Sequence, residues 1–168
     1  MSGRLGMAAV ALGAGLLLSS CVTYAQPPAD GSAAYVQFER NPGLSGNNSA
    51  FELMHIPAEG CGKGELVSSF VPINSGYGAI KVKEARLVAG APLELVVQMT
   101  DLIDARTIGF CSARFRFTPE AGRRYIVRQN GTVEGPCVAE VIDAATGAAP
   151  ASFKALPTPS TCVGIGRR

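Results

Sequence analysis

The sequence predicts an all-β protein: a single antiparallel, Greek-key-like β-sandwich of about seven to nine short strands behind an N-terminal helix. Three observations lead there. Short apolar runs rich in β-branched residues recur from residue 34 onward. Clusters of Gly, Pro and Asn separate them, and these residues form turns because Gly and Asn permit positive φ and Pro presets it. No long stretch repeats its apolar residues at the 3.6-residue helical period, and no internal repeat is present.

The predicted strands, in order, are Tyr35–Glu39, Phe51–Ile56, Leu66–Pro72, Ile80–Val88, Leu93–Met99, Ile108–Phe117, Tyr125–Gln129, Cys137–Asp143 and Ser152–Ala155. Turn signals between them include Asn41-Pro42-Gly43, Asn74-Ser75-Gly76, Gly90-Ala91-Pro92 and Pro119-Glu120-Ala121-Gly122. Asn130-Gly131 between two strands is a hairpin cue. Alternation is clearest over Ile108–Phe117. Cys111, Ala113, Phe115 and Phe117 fall on one face, and Ser112, Arg114 and Arg116 on the other. In the later strand Cys137, Ala139 and Val141 share a face. The opposite face, Val138, Glu140 and Ile142, is only partly polar, which predicts that it is covered. A domain over residues 34–157 is large enough for one core of this kind.

Composition narrows the function classes. With 168 residues and 47% hydrophobic content, the chain is too short for two ordinary domains and too apolar for disorder. A net charge of +2 does not suit a nucleic-acid binder. A single histidine leaves most catalytic and metal-binding sets without raw material. No cofactor and no metal are expected.

The first residues read as an export signal. Arg4 supplies the positive start, and Leu5 to Leu18 is apolar or small and uncharged. A membrane span needs about 20 apolar residues, and Ser19, Ser20 and Thr23 close this run too early. The run ends in Leu18-Ser19-Ser20-Cys21, which resembles the lipobox of bacterial lipoproteins at all four positions. The resemblance implies a signal peptide over residues 1–20, cleavage before Cys21, diacylation of its thiol and acylation of the new amino group. Several buried acyl chains anchor stably, since each buried methylene contributes about 0.8 kcal/mol. The competing processing is ordinary cleavage after Thr23-Tyr24-Ala25, which frees a secreted protein. In such lipoproteins an Asp after the Cys is associated with inner-membrane retention. Val22 stands there, so the outer membrane of the bacterial envelope, facing the periplasm, is the expected location. Residues 21–33 then form a flexible tether, and residues 158–168 a C-terminal tail.

Four cysteines remain: Cys61, Cys111, Cys137 and Cys162. In an exported chain they suggest two disulfides. Their wide spacing does not match the paired ligands of a zinc site. Three pairings are open to four cysteines. The expected one is Cys61–Cys111 with Cys137–Cys162, the second fastening the tail.

Two short stretches resemble known sandwich motifs. Phe117-Thr118-Pro119-Glu120-Ala121-Gly122-Arg123-Arg124-Tyr125-Ile126-Val127 is similar to the corner of Greek-key sandwiches, where a Tyr hydroxyl bonds back to the turn backbone. That makes Tyr125 a structural tyrosine. Val141-Ile142-Asp143-Ala144-Ala145-Thr146-Gly147-Ala148-Ala149-Pro150 is similar to the V-x-D-x-x-T-G-x-P turn of transthyretin-like and carboxypeptidase-regulatory-like modules. The resemblance covers about 25 residues and implies architecture, in modules that are usually non-catalytic.

Candidate chemistry is sparse. His55 lies in an apolar strand and reads as structural. Gly60-Cys61-Gly62-Lys63-Gly64 lacks the spacing and hydroxyl of a phosphate loop. Asp101 and Asp104 are a carboxylate pair in a loop, the raw material for a hydrolase, with nothing to mark them as paired or desolvated. The arginines stand out. Residues 80–128 hold nine basic against five acidic residues, whereas residues 21–79 hold two against five. If the strands carrying Arg114, Arg116, Arg124 and Arg128 pair, four guanidiniums form one patch suited to carboxylate or phosphate partners. The alternative is a solvated face of cross-strand pairs with acids. The expected function is therefore a non-enzymatic envelope lipoprotein, membrane-bound through its lipid, that docks an envelope protein. The second reading is a lipoprotein holding an anionic glycan or lipid, and the third an envelope hydrolase. No nucleic-acid partner is expected.

Overall fold

The computed structural model describes residues 24–39, 51–57, 64–70, 84–102, 107–131, 137–159 and 164–167. The signal segment 1–20, Cys21, Cys61, Asp104 and Cys162 lie outside them. All regular structure among the described residues is β, in two sheets packed as a sandwich.

The smaller sheet has the order β4-β1-β7-β8. Its strands are β1 (Ala33–Glu39), β4 (Glu84–Val88), β7 (Arg124–Asn130) and β8 (Val138–Asp143). The larger sheet runs β10-β6-β5-β2-β3, with β9 also on β6. Its strands are β2 (Phe51–Ile56), β3 (Glu65–Phe70), β5 (Leu93–Leu102), β6 (Thr107–Phe117), β9 (Lys154–Leu156) and β10 (Gly164–Arg167). Every pairing is antiparallel except β1 with β7, which run parallel with Tyr35 opposite Arg124. That departs from the expected purely antiparallel sandwich. The two strands are far apart in sequence, so no hairpin constrains their direction.

The alternation in each strand decides what is buried. Val36 on β1, Leu87 on β4, Leu95 and Val97 on β5, Phe115 and Phe117 on β6, and Tyr125 and Val127 on β7 meet in one core. Phe117 and Tyr125 pack edge-to-face at 5.1 Å, joining the two sheets. Such a pair adds to its area burial because the ring edge and face carry opposite partial charge.

The disulfide expectation needs correction. Cys111 is bonded to Cys137, with the Cα atoms 5.9 Å apart. Cys111 lies on the inward face of β6 and Cys137 directly precedes β8, so the bond staples one sheet to the other. The physical reason lies in the alternation itself: both residues share an inward face with core side chains. Buried Gln129 on β7 seals the bond. Its Nε2 donates to the Cys111 carbonyl at 3.2 Å and lies 3.3 Å from Cys137 Sγ.

The C-terminal end also differs from expectation. The segment expected as a free tail contains β10, whose Gly164 lies opposite Phe110 on β6. Gly-Ile-Gly-Arg shows no strand signal of its own, and the open backbone edge of β6 supplies the partner. Smaller differences concern boundaries. β4 is described from Glu84, and residues 80–83 lie outside the described residues. β7 and β8 pair antiparallel, but Asn130 lies within β7 opposite Val138, so Asn130-Gly131 is not a two-residue turn between them.

One glycine is required by close approach. A Cβ on Gly64, where β3 begins, would lie 1.6 Å from the Ile56 carbonyl oxygen. Backbone cannot yield cheaply there, so Gly64→Ala is expected to cost roughly 2 kcal/mol or more. A chemical-denaturation midpoint unchanged from the parent would contradict this.

Candidate functional site

β6 leads into β7 through the turn at Pro119–Arg123, and the chain changes sheet there. β6 and β7 therefore do not pair. Arg114 and Arg116 stand on the outer face of the larger sheet, Arg124 and Arg128 on the outer face of the smaller one. The single four-arginine patch is thus corrected to two separate pairs on opposite sides of the sandwich.

Acids from neighbouring strands answer most of these cations. Arg114 pairs with Glu94 of β5, its Nε donating to Oε1 at 3.2 Å. In register Glu94 faces Arg116, yet its carboxylate goes diagonally to Arg114. Arg116 is exposed and forms no ion pair among the described residues. On the smaller sheet Arg128 Nε donates to Glu39 Oε2 at 2.7 Å. Arg124 pairs with Glu84 and lies 4.8 Å from the centroid of the Tyr35 ring. Such exposed pairs contribute about 0–1 kcal/mol each. Their effect here is on charge: among the described residues Arg86, Arg124 and Arg128 share this face with Glu39, Glu84 and Glu140, so their charges balance.

The same face holds apolar groups. Ile126 and Ile142 are directly opposite each other and half-buried, while Val138 is 51% exposed. The outward side of β8 was expected to be covered; it is open.

The tether is the main surprise. Tyr24 is only 9% exposed and belongs to the core cluster. Its hydroxyl accepts the Val88 N–H at 3.2 Å, and Gln26 Oε1 accepts the Arg86 N–H at 3.0 Å. Arg86 Nε in turn donates to the Pro27 carbonyl at 2.7 Å. Among the described strands β4 is the edge of its sheet, with β1 on one side. Tyr24 and Gln26 thus cap alternate N–H groups that would otherwise stand open. The flexible tether expected over 21–33 is replaced, from Tyr24 on, by a segment fixed to the domain. An Asx turn then leads into β1, with Asp30 Oδ1 accepting the Ser32 N–H at 3.0 Å. These bonds from Ser32 hold the exposed Asp30 carboxyl below the ordinary carboxylate range.

The two motif tyrosine and aspartate positions make the bonds that their types allow. Tyr125 is 2% exposed and its hydroxyl accepts the Glu120 N–H at 3.0 Å. Asp143 Oδ1 accepts the Ala145 N–H at 2.8 Å, and the Asp143 carbonyl accepts the Gly147 N–H at 2.8 Å. Gly147 sits at φ 70°, where glycine is favoured.

His55 is buried on the outer side of β2, opposite Val96 of β5, and its Nε2 has no hydrogen-bond partner among the described residues. Burial pushes its pKa below the ordinary 6.5. The unfolded chain therefore takes the proton more readily, so the His55 contribution to stability is complete above about pH 6.5 and is lost as pH falls below it. His55→Leu should flatten the change in melting temperature between about pH 5 and 7; an unchanged slope would remove the assignment. The side chain of Asp101 is not among those described. Among the described residues no three His, Cys, Asp or Glu side chains form a metal-binding group.

Compared with known proteins, the chain matches no family model, no curated protein and no solved structure.

Proposed function

We propose that this is a non-enzymatic lipoprotein of the bacterial cell envelope, anchored through Cys21, whose sandwich docks an envelope protein. The observation that carries the docking assignment is the outer face of the smaller sheet. It combines a stacked Tyr35–Arg124 pair, charge-balanced ion pairs and the adjoining Ile126, Ile142 and Val138. Arg and Tyr are the residue types that dominate protein interfaces. A face whose described charges balance recognises a protein better than an anionic glycan or lipid, which needs uncompensated cations.

Anchoring is supported by the place of Tyr24. Cleavage before Cys21 keeps Tyr24 in the mature chain, whereas cleavage after Ala25 would remove a core side chain and the cap on Val88. The cross-sheet disulfide suits an oxidising compartment such as the periplasm.

The test is in-cell photo-crosslinking of the full-length protein from position 140 on this face and from position 116 on the opposite one. One dominant protein adduct from position 140, and none from 116, is the expected result. Glycan or lipid adducts from 116 with no dominant protein at 140 would replace docking by the ligand-binding alternative.

A further inference from the structure

The geometry points to a membrane-facing end of the domain: the surface formed by Val88 and the Gly90–Pro92 turn, beside the buried Tyr24, rests directly on the bilayer that holds the anchor. This rests on lipidation of Cys21. It follows from the length of chain left between the lipid and the first fixed residue.

Cys21 and Tyr24 are three residues apart. Three peptide units reach at most about 11 Å when fully extended. The polar layer of one leaflet is itself about 5–8 Å deep. Tyr24 is packed in the core and bonded to β4, so it cannot pay out more chain without unfolding that edge. A tether of thirteen residues (Cys21 to Ala33) would have let the domain swing freely. A slack of three residues holds its Tyr24 end at the headgroups.

The surface at that end suits a bilayer. From Leu87 to Leu93 the chain carries no charge. Val88 is 52% exposed, and Ala91 and Pro92 are exposed beside it. The Gly90 N–H donates to the Pro119 carbonyl at 2.8 Å, which places the β6–β7 turn alongside. One cation there stands between two acids: Arg123 Nε lies 3.6 Å from Glu120 Oε2, and Arg123 Nη1 lies 3.3 Å from Asp143 Oδ2. Asp30, exposed just before β1, adds a further carboxylate at this end, so the contact rests on the apolar groups and not on charge.

The register also supplies an internal control. Val88 pairs with Ala33, and Tyr35 with Arg124, so Val88 is level with residue 122 of the β7 line. Val138 pairs with Asn130, eight residues further on, and lies on the opposite edge strand. Eight residues of strand and three strand spacings separate the two valines by about 30 Å. They are almost equally exposed, yet one lies beside the anchor and the other projects away from it. The proposed docking face would then be presented to the aqueous compartment at its Val138 end.

The test places a photoreactive phenylalanine analogue at position 88 or at position 138 of the full-length protein in its own membranes. Phospholipid adducts several-fold more abundant at 88 than at 138 are expected. A Gly/Ser spacer of about ten residues between Thr23 and Tyr24, with a mean reach of about 17 Å, should reduce the yield at 88 to that at 138. Mass spectrometry of the N-terminal peptide is run on the same samples. With Cys21 acylated, equal yields at the two positions, protein adducts in place of lipid at 88, or indifference to the spacer would overturn the seating and leave the anchor standing. An unacylated Cys21 would overturn both.

Discussion

Tyr24→Ala is expected to destabilise the domain by about 3 kcal/mol, with a fall in melting temperature of roughly 10 °C. Two losses combine. The ring is 9% exposed and packs in the core cluster, so its removal leaves a cavity and returns apolar area to water. The hydroxyl accepts the Val88 N–H, and without it the β4 edge loses a cap. Tyr24→Phe separates the two. It keeps the ring and opens only one backbone donor, so it should cost about 1 kcal/mol. Thermal melts of the detergent-solubilised full-length protein, with exposed Ala25→Ser as a neutral control, decide the matter. A Tyr24→Ala protein that melts with the parent would mean that this segment is no part of the domain.

The second large effect concerns the staple between the sheets. Replacing Cys111 and Cys137 together by alanine should cost about 3–4 kcal/mol, the chain-entropy value for closing a loop of this length. The sequence separation is 26 residues. Buried Gln129 would also lose its contact with the Cys137 sulfur while keeping its bond to the Cys111 carbonyl. The double variant should therefore unfold at a lower denaturant concentration, and reducing agent should bring the parent towards it. Non-reducing peptide mapping checks the assignment directly. A peptide linking Cys111 to Cys137 is expected; linkage of Cys61 to Cys111 or of Cys137 to Cys162 would contradict it.

How much of this was legible in the sequence follows from which interactions are local. Alternation over Ile108–Phe117 gave the inward set Cys111, Ala113, Phe115 and Phe117 because strand periodicity is a local property. The Tyr125 bond to Glu120 and the Asp143 turn were likewise readable, since each partner lies within five residues. Non-local facts were not. Nothing in the spacing of Arg114, Arg116, Arg124 and Arg128 tells that the chain changes sheet at Pro119–Arg123. Disulfide partners depend on which inward faces oppose each other across the core. Tyr24 carried a weak signal that could have been used: an aromatic residue is out of place in a stretch of small and polar residues. β10 carried none, because its pairing comes from the edge of β6.

The central claim is that the domain begins at a lipidated terminus three residues before Tyr24. The most direct measurement is the mass of the N-terminal peptide of the mature protein isolated from its own membranes. An acylated peptide starting at Cys21 and containing Tyr24 is the predicted result. A mature chain starting at Gln26, without acyl mass and without Tyr24, would contradict both the anchor and the role of Tyr24 in the fold.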